Sequence, residues 1–271
     1  MKTSWLPVTL FKDILSGALP VERWIDQAVS LNIDAVDASC LFFHGPGRLD
    51  PQAFRKATDR ANLQVAVFNT YTDFTHPDPA QRHREQADFA VHLRNAVRIG
   101  AQMMRITAGQ AHPGLDRETG ISLAVEGLRY AAELADQAGI RAVYENHSKP
   151  GVWSYSDFSH PADIFREIAG RLKNEPIGIL FDTANAVARG DDPLLVLESV
   201  IDRVECVHIA DTATCGTLNP TVIGTGMVPF ATLFKRLKAA GYNGWFSIEE
   251  ASGKAEGINR ALEYFRSNWN R

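Results

Sequence analysis

Val143-Tyr-Glu-Asn-His147, Leu180-Phe-Asp-Thr-Ala-Asn185, Val207-His-Ile-Ala-Asp211 and Phe246-Ser-Ile-Glu-Glu250 share one pattern: a short apolar run that closes on an acid or a histidine. Their length and their β-branched and aromatic content predict strands. Alternation along a strand sorts the side chains onto two faces. Val143 and Glu145 share one face, as do Gly178, Leu180 and Asp182, then Val204, Cys206 and His208, then Trp245, Ser247 and Glu249. The opposite faces hold Ala142 and Tyr144, Ile177 and Ile179, Val207 and Ile209, and Phe246 and Ile248, which suits packing against outer helices.

Further runs at Leu6–Phe11, Ile33–Val36, Val65–Phe68 and Met103–Ile106 bring the set to eight. The stretches between them read as helices over Glu22–Leu31, Gln52–Asn62, Gln81–Ile99, Ser122–Ala138, Ala162–Leu172, Leu194–Ile201 and Phe230–Ala240, and Gly257–Trp269 closes the chain. Gly100, Gly139 and Gly241 mark helix ends, where a left-handed residue is wanted. Asp37, Asn69, Arg105, Glu145, Asp182, His208 and Glu249 end seven of the runs and recur about every 35 residues. Eight βα units of that size account for all 271 residues. The predicted fold is therefore α/β, one domain over residues 1–271, a (β/α)8 TIM barrel. A doubly wound sheet is the competitor, but no strand leads into a GxGxxG turn.

Composition narrows the function classes. Hydrophobic residues make up 45% and charged residues 22%, ordinary values that exclude a disordered or fibrous chain. With 28 basic and 32 acidic side chains the net charge is −4, so nothing draws the chain to a phosphate backbone and no nucleic-acid partner is expected. Cys40, Cys206 and Cys215 are too few and too irregular for a disulfide framework, which suits a reducing compartment. Pro7, Lys12 and Asp13 interrupt the N-terminal apolar stretch before a signal-peptide core forms. No run reaches the ~18 apolar residues of a membrane span. These features predict a soluble, cytoplasmic protein with no membrane partner; a homo-oligomer is left open.

In a barrel the strand C-termini converge on one mouth, so Glu145, Asp182, His208 and Glu249 should meet there. Three carboxylates and an imidazole in one place repel and desolvate one another unless a cation joins them. One nitrogen and several oxygens favour a single divalent ion, Mn2+, Mg2+ or Co2+, with Zn2+ also within range.

On these motifs, and on Ile223-Gly-Thr-Gly226 with Gly241-Tyr-Asn-Gly-Trp245, the chain resembles the xylose isomerase-like barrel superfamily. That group includes sugar phosphate isomerase/epimerases, tagatose epimerase-type enzymes and inosose dehydratases. The resemblance implies a metal held by Glu145, Asp182, His208 and Glu249, with Glu145 and Glu249 also acting in acid/base roles. Two departures stand out. Asn185 occupies a position where many relatives carry histidine, and Asp211-Thr-Ala-Thr-Cys-Gly216 lacks the arginine usual in the epimerase branch. Asn185 also weakens a reading as an AP endonuclease, whose metal cluster needs further histidines.

Substrate-binding candidates are Arg105, His147, Lys149, Trp153 and Asn185. The loop Ser148–His160 is long for a βα connection and rich in aromatics, features of functional loops. Asp211 is expected to cap its own loop, Gly224 and Gly226 to form a turn, and Cys206 to pack inside the barrel. The expected activity is that of a metal-dependent isomerase or epimerase on a ketose, aldose or keto-polyol, through an enediolate. The alternative is a keto-sugar or keto-inositol dehydratase. A non-catalytic sugar- or metal-binding barrel ranks below both.

Overall fold

The computed structural model describes residues 1–44, 48–148, 151–254 and 256–270. Eight parallel strands close into one barrel in sequence order. They are β1 (Lys2–Trp5), β2 (Ala35–Ser39), β3 (Gln64–Asn69), β4 (Ala101–Ile106), β5 (Arg141–Glu145), β6 (Ile177–Asp182), β7 (Val204–Ile209) and β8 (Trp245–Ile248). Closure is made by β8 on β1, with Lys2 opposite Trp245 and Trp5 opposite Ile248. Ten α-helices alternate with the strands among the described residues: α1 (Phe11–Ser16), α2 (Val21–Ser30), α3 (Pro51–Arg60), α4 (Pro79–Ile99), α5 (Arg117–Gln137), α6 (Ala162–Arg171), α7 (Asn185–Arg189), α8 (Pro193–Glu198), α9 (Phe230–Ala239) and α10 (Gly257–Trp269). None is long and apolar enough to cross a membrane.

Strand alternation builds two cores. Val143, Leu180, Cys206 and Trp245 join Ala35, Ala66, Val67 and Met103 in a small core inside the barrel. Tyr144, Ile179, Phe181, Val207, Ile209, Phe246 and Ile248 face outward into the much larger layer between sheet and helices. Asp37 lies within β2, not at its end. Its carboxylate takes hydrogen bonds from Ser4 Oγ at 3.0 Å and Val67 N at 3.0 Å, and from Ser247 Oγ. Burial pushes its pKa up, against those bonds and the nearby His208. All three cysteines are free thiols.

The first strand departs from the sequence reading. It is Lys2–Trp5, and Leu6–Phe11 continues into a 3-10 turn at Val8–Leu10 and the start of α1. Pro7 cannot donate to a ladder. The apolar residues Leu6, Val8 and Phe11 instead wall the cavity at the barrel mouth. Asp50, Asp78 and Asp192 each precede a proline and cap α3, α4 and α8 by accepting the N–H of Ala53, Ala80 and Leu194 at 2.8, 2.9 and 2.8 Å. Such a cap supplies about 1 kcal/mol, and proline is tolerated at the first helical position because its missing N–H has no partner there.

Candidate active site

Three strand ends and one loop residue converge at the mouth. Glu145 ends β5, Asp182 ends β6, His208 lies one residue before the end of β7, and Glu249 immediately follows β8. Asp182 is in register with His208, and His208 with Ser247. One ligand-type atom from each of Glu145, Asp182, His208 and Glu249 lies within 4.8 Å of the other three. His208 Nδ1 is 3.2 Å from Glu145 Oε1 and 2.9 Å from Glu249 Oε2. Neither contact is aligned as a hydrogen bond, and among the described residues both His208 ring nitrogens and Glu145 Oε2 are buried without a hydrogen-bond partner. The four groups are close enough to share a cation, and the ion pairs of His208 with Glu145 and Glu249 leave His208 Nε2 and Glu145 Oε2 without a hydrogen-bond partner among the described residues. Such a set fits an oxygen-rich divalent site.

The electrostatics agree. Burial pushes the Asp182 carboxyl well above its usual range, and the charges of Glu249 and Glu145 add to that. Burial also acts to raise Glu145, but Arg105, His147 and His208 outweigh it and hold the group at about 2. Arg105 Nε sits 3.2 Å from Glu145 Oε2, with both side chains almost fully buried. Arg105 also donates to Asn69 Oδ1 at 3.1 Å and lies over the Tyr71 ring at 4.7 Å. Its Nη1 is buried without a hydrogen-bond partner among the described residues, and Arg105 is one of the residues that line the cavity.

Two residues that the sequence reading did not single out hold this geometry. The Asn146 side chain accepts the backbone N–H of Asp182 at 2.7 Å and donates to its carbonyl at 3.0 Å, tying the ends of β5 and β6 together. Asp157 Oδ1 accepts the N–H and hydroxyl of Ser159, both at 2.7 Å, while Oδ2 lies 3.6 Å from His147 Nδ1. Asp182 Oδ1 accepts the N–H groups of Ala184 and Asn185 at 2.8 and 2.7 Å, which fixes the carboxylate. The adjacency of Asn146 to Glu145 was visible in the sequence; that its amide reads a neighbouring strand was not.

The cavity above the four groups has a volume of about 360 Å3. Arg105, His147 and Asn185 all line it. Lys149 lies outside the described residues. Trp153 does not line this cavity; Gly151 and Val152 do, and the Trp153 indole packs edge-on against the His147 ring, 5.9 Å between centroids. Asp211 forms a cap, as its position after β7 suggested. Its carboxylate accepts the N–H groups of Gly224, Gly226 and Val228 at 2.9, 2.8 and 3.2 Å. A Cβ on Gly226 would lie 2.4 Å from Asp211 Oδ1 and 2.4 Å from the Thr212 carbonyl oxygen, so this glycine lets the backbone wrap a carboxylate, not a phosphate.

A family model described as the xylose isomerase-like TIM barrel matches residues 25–268. The chain belongs to the xylose isomerase-like TIM barrel family. This barrel is 25% identical over 242 residues to an inosose dehydratase of Geobacillus thermodenitrificans, covering 79% of this chain and 78% of the relative. Among solved structures, the IolI protein with a bound zinc atom superposes on the barrel with TM-score 0.80 at 14% identity, covering 100% of this chain and 98% of that one. D-allulose 3-epimerase from Methylomonas sp. in complex with D-allulose gives TM-score 0.77 at 18% identity, covering 99% and 97%. At those identities the two structures testify to the fold, and the xylose isomerase-like barrel has its own four-group site at the mouth where such barrels carry out chemistry.

Proposed function

We propose that the protein is a metal-dependent isomerase or epimerase acting on a ketose, aldose or related keto-polyol through an enediolate. The observation that carries this reading is the convergence of Glu145, Asp182, His208 and Glu249 within 4.8 Å at the barrel mouth. In this reading the four residues hold one divalent cation, Mn2+, Mg2+, Co2+ or Zn2+. A bound cation of this kind polarises a carbonyl and stabilises the negative charge that develops as the neighbouring C–H proton leaves.

The chain's own groups then divide the work. Glu249 takes the proton from carbon. Its side chain is 27% exposed to the cavity and, among the described residues, pairs only with His208. Glu145, 2% exposed and tied to Arg105, starts as the carboxylate, takes a proton from a substrate hydroxyl and returns it to carbon on the other side, while Glu249 gives its proton back to oxygen. Two flanking carboxylates allow removal and return at different faces or carbons. Arg105, His147 and Asn185, which line the cavity, orient substrate hydroxyls. Trp153 packs edge-on against His147, and Lys149 belongs to the substrate-binding set in this reading.

The alternative reading is a dehydratase that forms the same enediolate and then expels a β-hydroxyl. Its support is the match to an inosose dehydratase along 79% of the chain. One experiment separates the readings. Metal-loaded protein is incubated in deuterated water with ketoses and with keto-inositols, and products are followed by mass. A deuterated isomer supports the isomerase; loss of 18 mass units, the mass of water, supports the dehydratase. No exchange with any member of either class overturns both.

A further inference from the structure

Beside the metal cavity lies a second one of about 530 Å3, within the range of a small-molecule site. Leu41, Tyr71 and Val152 line both cavities, so the two adjoin. One wall is α4. Its residues Gln81, Glu85, Asp88 and His92 face the space, and their spacing puts them on one side of the helix. The buried apolar residues of α4 begin only at Phe89. The N-terminal half of the helix thus turns a polar stripe toward a cavity at the mouth. Trp153 and Tyr155 stand in the facing loop.

The walls are fixed. Asp73 accepts the Gln110 N–H and side-chain amide, both at 2.9 Å, and contacts His112 Nε2 at 2.8 Å. Gln110 Oε1 in turn accepts the backbone N–H groups of Ser154 and Tyr155 at 2.9 and 3.1 Å, which holds the aromatic loop in place. His92 Nδ1 is buried without a hydrogen-bond partner among the described residues.

We propose that this cavity is a subsite for an uncharged, hydroxyl-rich second ring, so that the substrate is a glycoside bearing the keto-sugar and not a free monosaccharide. The proposal rests on the reading of the first cavity as a keto-sugar site. Carboxylates, carboxamides and neutral imidazoles each pair with hydroxyl groups, and aromatic walls cover the C–H faces of a ring. Burial and the neighbouring His44 lower the pKa of His92 to about 4, so at neutral pH it offers one donor and one acceptor. Asp73, Glu85 and Asp88 line the space, and no Lys or Arg does among the described residues. A phosphate or carboxylate tail would meet like charge there.

The test is calorimetric, on the full chain loaded with Mg2+. Lactulose, maltulose, turanose and isomaltulose, four ketose disaccharides of different linkage, are compared with D-fructose. At least one disaccharide should bind tenfold or more tightly than D-fructose. Asp88→Ala, an exposed change that leaves the fold intact, and His92→Leu should each remove most of that advantage, while D-fructose affinity and metal content stay unchanged. If no disaccharide outbinds D-fructose, or if the variants weaken both sugars alike, the proposal is overturned. Deuterium exchange on the same samples keeps the two claims apart. A preference for disaccharides without exchange leaves the subsite standing and removes the catalytic reading.

Discussion

Replacing Arg105 with Met tests the buried pair on which the Glu145 geometry depends. The stem keeps its bulk against Tyr71, and only the charged head is lost. Arg105 Nε lies 3.2 Å from Glu145 Oε2, with the side chains 3% and 2% exposed. At an effective dielectric near 20, that separation corresponds to about 5 kcal/mol of attraction. Holding Glu145 at about 2, against an ordinary value of 4.5, corresponds to roughly 3 kcal/mol, the balance of burial against Arg105, His147 and His208, with the Arg105 charge the largest single opposing contribution. Breaking a buried pair from one side costs about 3–5 kcal/mol, so the magnitudes agree. Metal-free Arg105→Met should lose about that much stability at pH 7, read by urea unfolding, with Tm lower by about 10 °C. A depressed carboxylate pKa contributes stability above its unfolded value and forfeits it as pH falls through the folded one. The gap between wild type and variant should therefore be full at pH 7 and close between about pH 4.5 and 2. Saturating Mn2+ should narrow the gap at pH 7, because a cation in the four-residue site also neutralises Glu145. A loss under about 1 kcal/mol in the metal-free protein, or a gap that widens on acidification, would refute the reasoning.

Asp182→Asn should lower Mn2+ affinity at least tenfold, measured by titration calorimetry, yet leave the metal-free protein as stable as wild type or more so at pH 7. The raised Asp182 pKa means that ionising this group costs stability as pH rises, and the variant removes that slope. Asn146→Ala deletes both contacts to the Asp182 backbone and should cost about 2–4 kcal/mol, with weaker metal binding; unchanged metal affinity would remove Asn146 from the site's support. Gly226→Ala places a Cβ 2.4 Å from Asp211 Oδ1 and from the Thr212 carbonyl oxygen, and should lower Tm by several degrees. Asp211→Asn should disturb the same loop, and the double variant should be less than additive.

The barrel was legible because its signal is repeated. Eight apolar runs at a regular spacing specify the closed sheet, and the in-phase polar ends of the last four specify the face on which Glu145, Asp182, His208 and Glu249 emerge. Leu6–Phe11 misled for a physical reason: its apolar residues wall a cavity, and apolarity alone does not separate a strand from a pocket lining. The caps at Asp50, Asp78 and Asp192 were written as Asp-Pro dipeptides, yet periodicity alone starts those helices one or two residues late. The short α7 carries too few residues for any period to appear. Arg105 was legible as a mouth residue, whereas its partnership with Glu145, Asn69 and Tyr71 depends on side-chain reach between strands. Asn146 bonds the backbone of the neighbouring strand, Asp157 bonds Ser159 within its own loop and Gln110 joins two loops; one sequence holds no record of such meetings.

The central claim is that one divalent cation, held by Glu145, Asp182, His208 and Glu249, is required for proton removal from a keto-sugar carbon. The most direct measurement is solvent deuterium incorporation into a panel of ketoses while Mn2+ is added back to stripped protein, with Glu249→Gln run alongside. The account predicts no exchange without metal, exchange that rises and levels off at one Mn2+ per chain, and no exchange by Glu249→Gln although it retains metal. Full exchange by the stripped protein, or by Glu249→Gln, would contradict it.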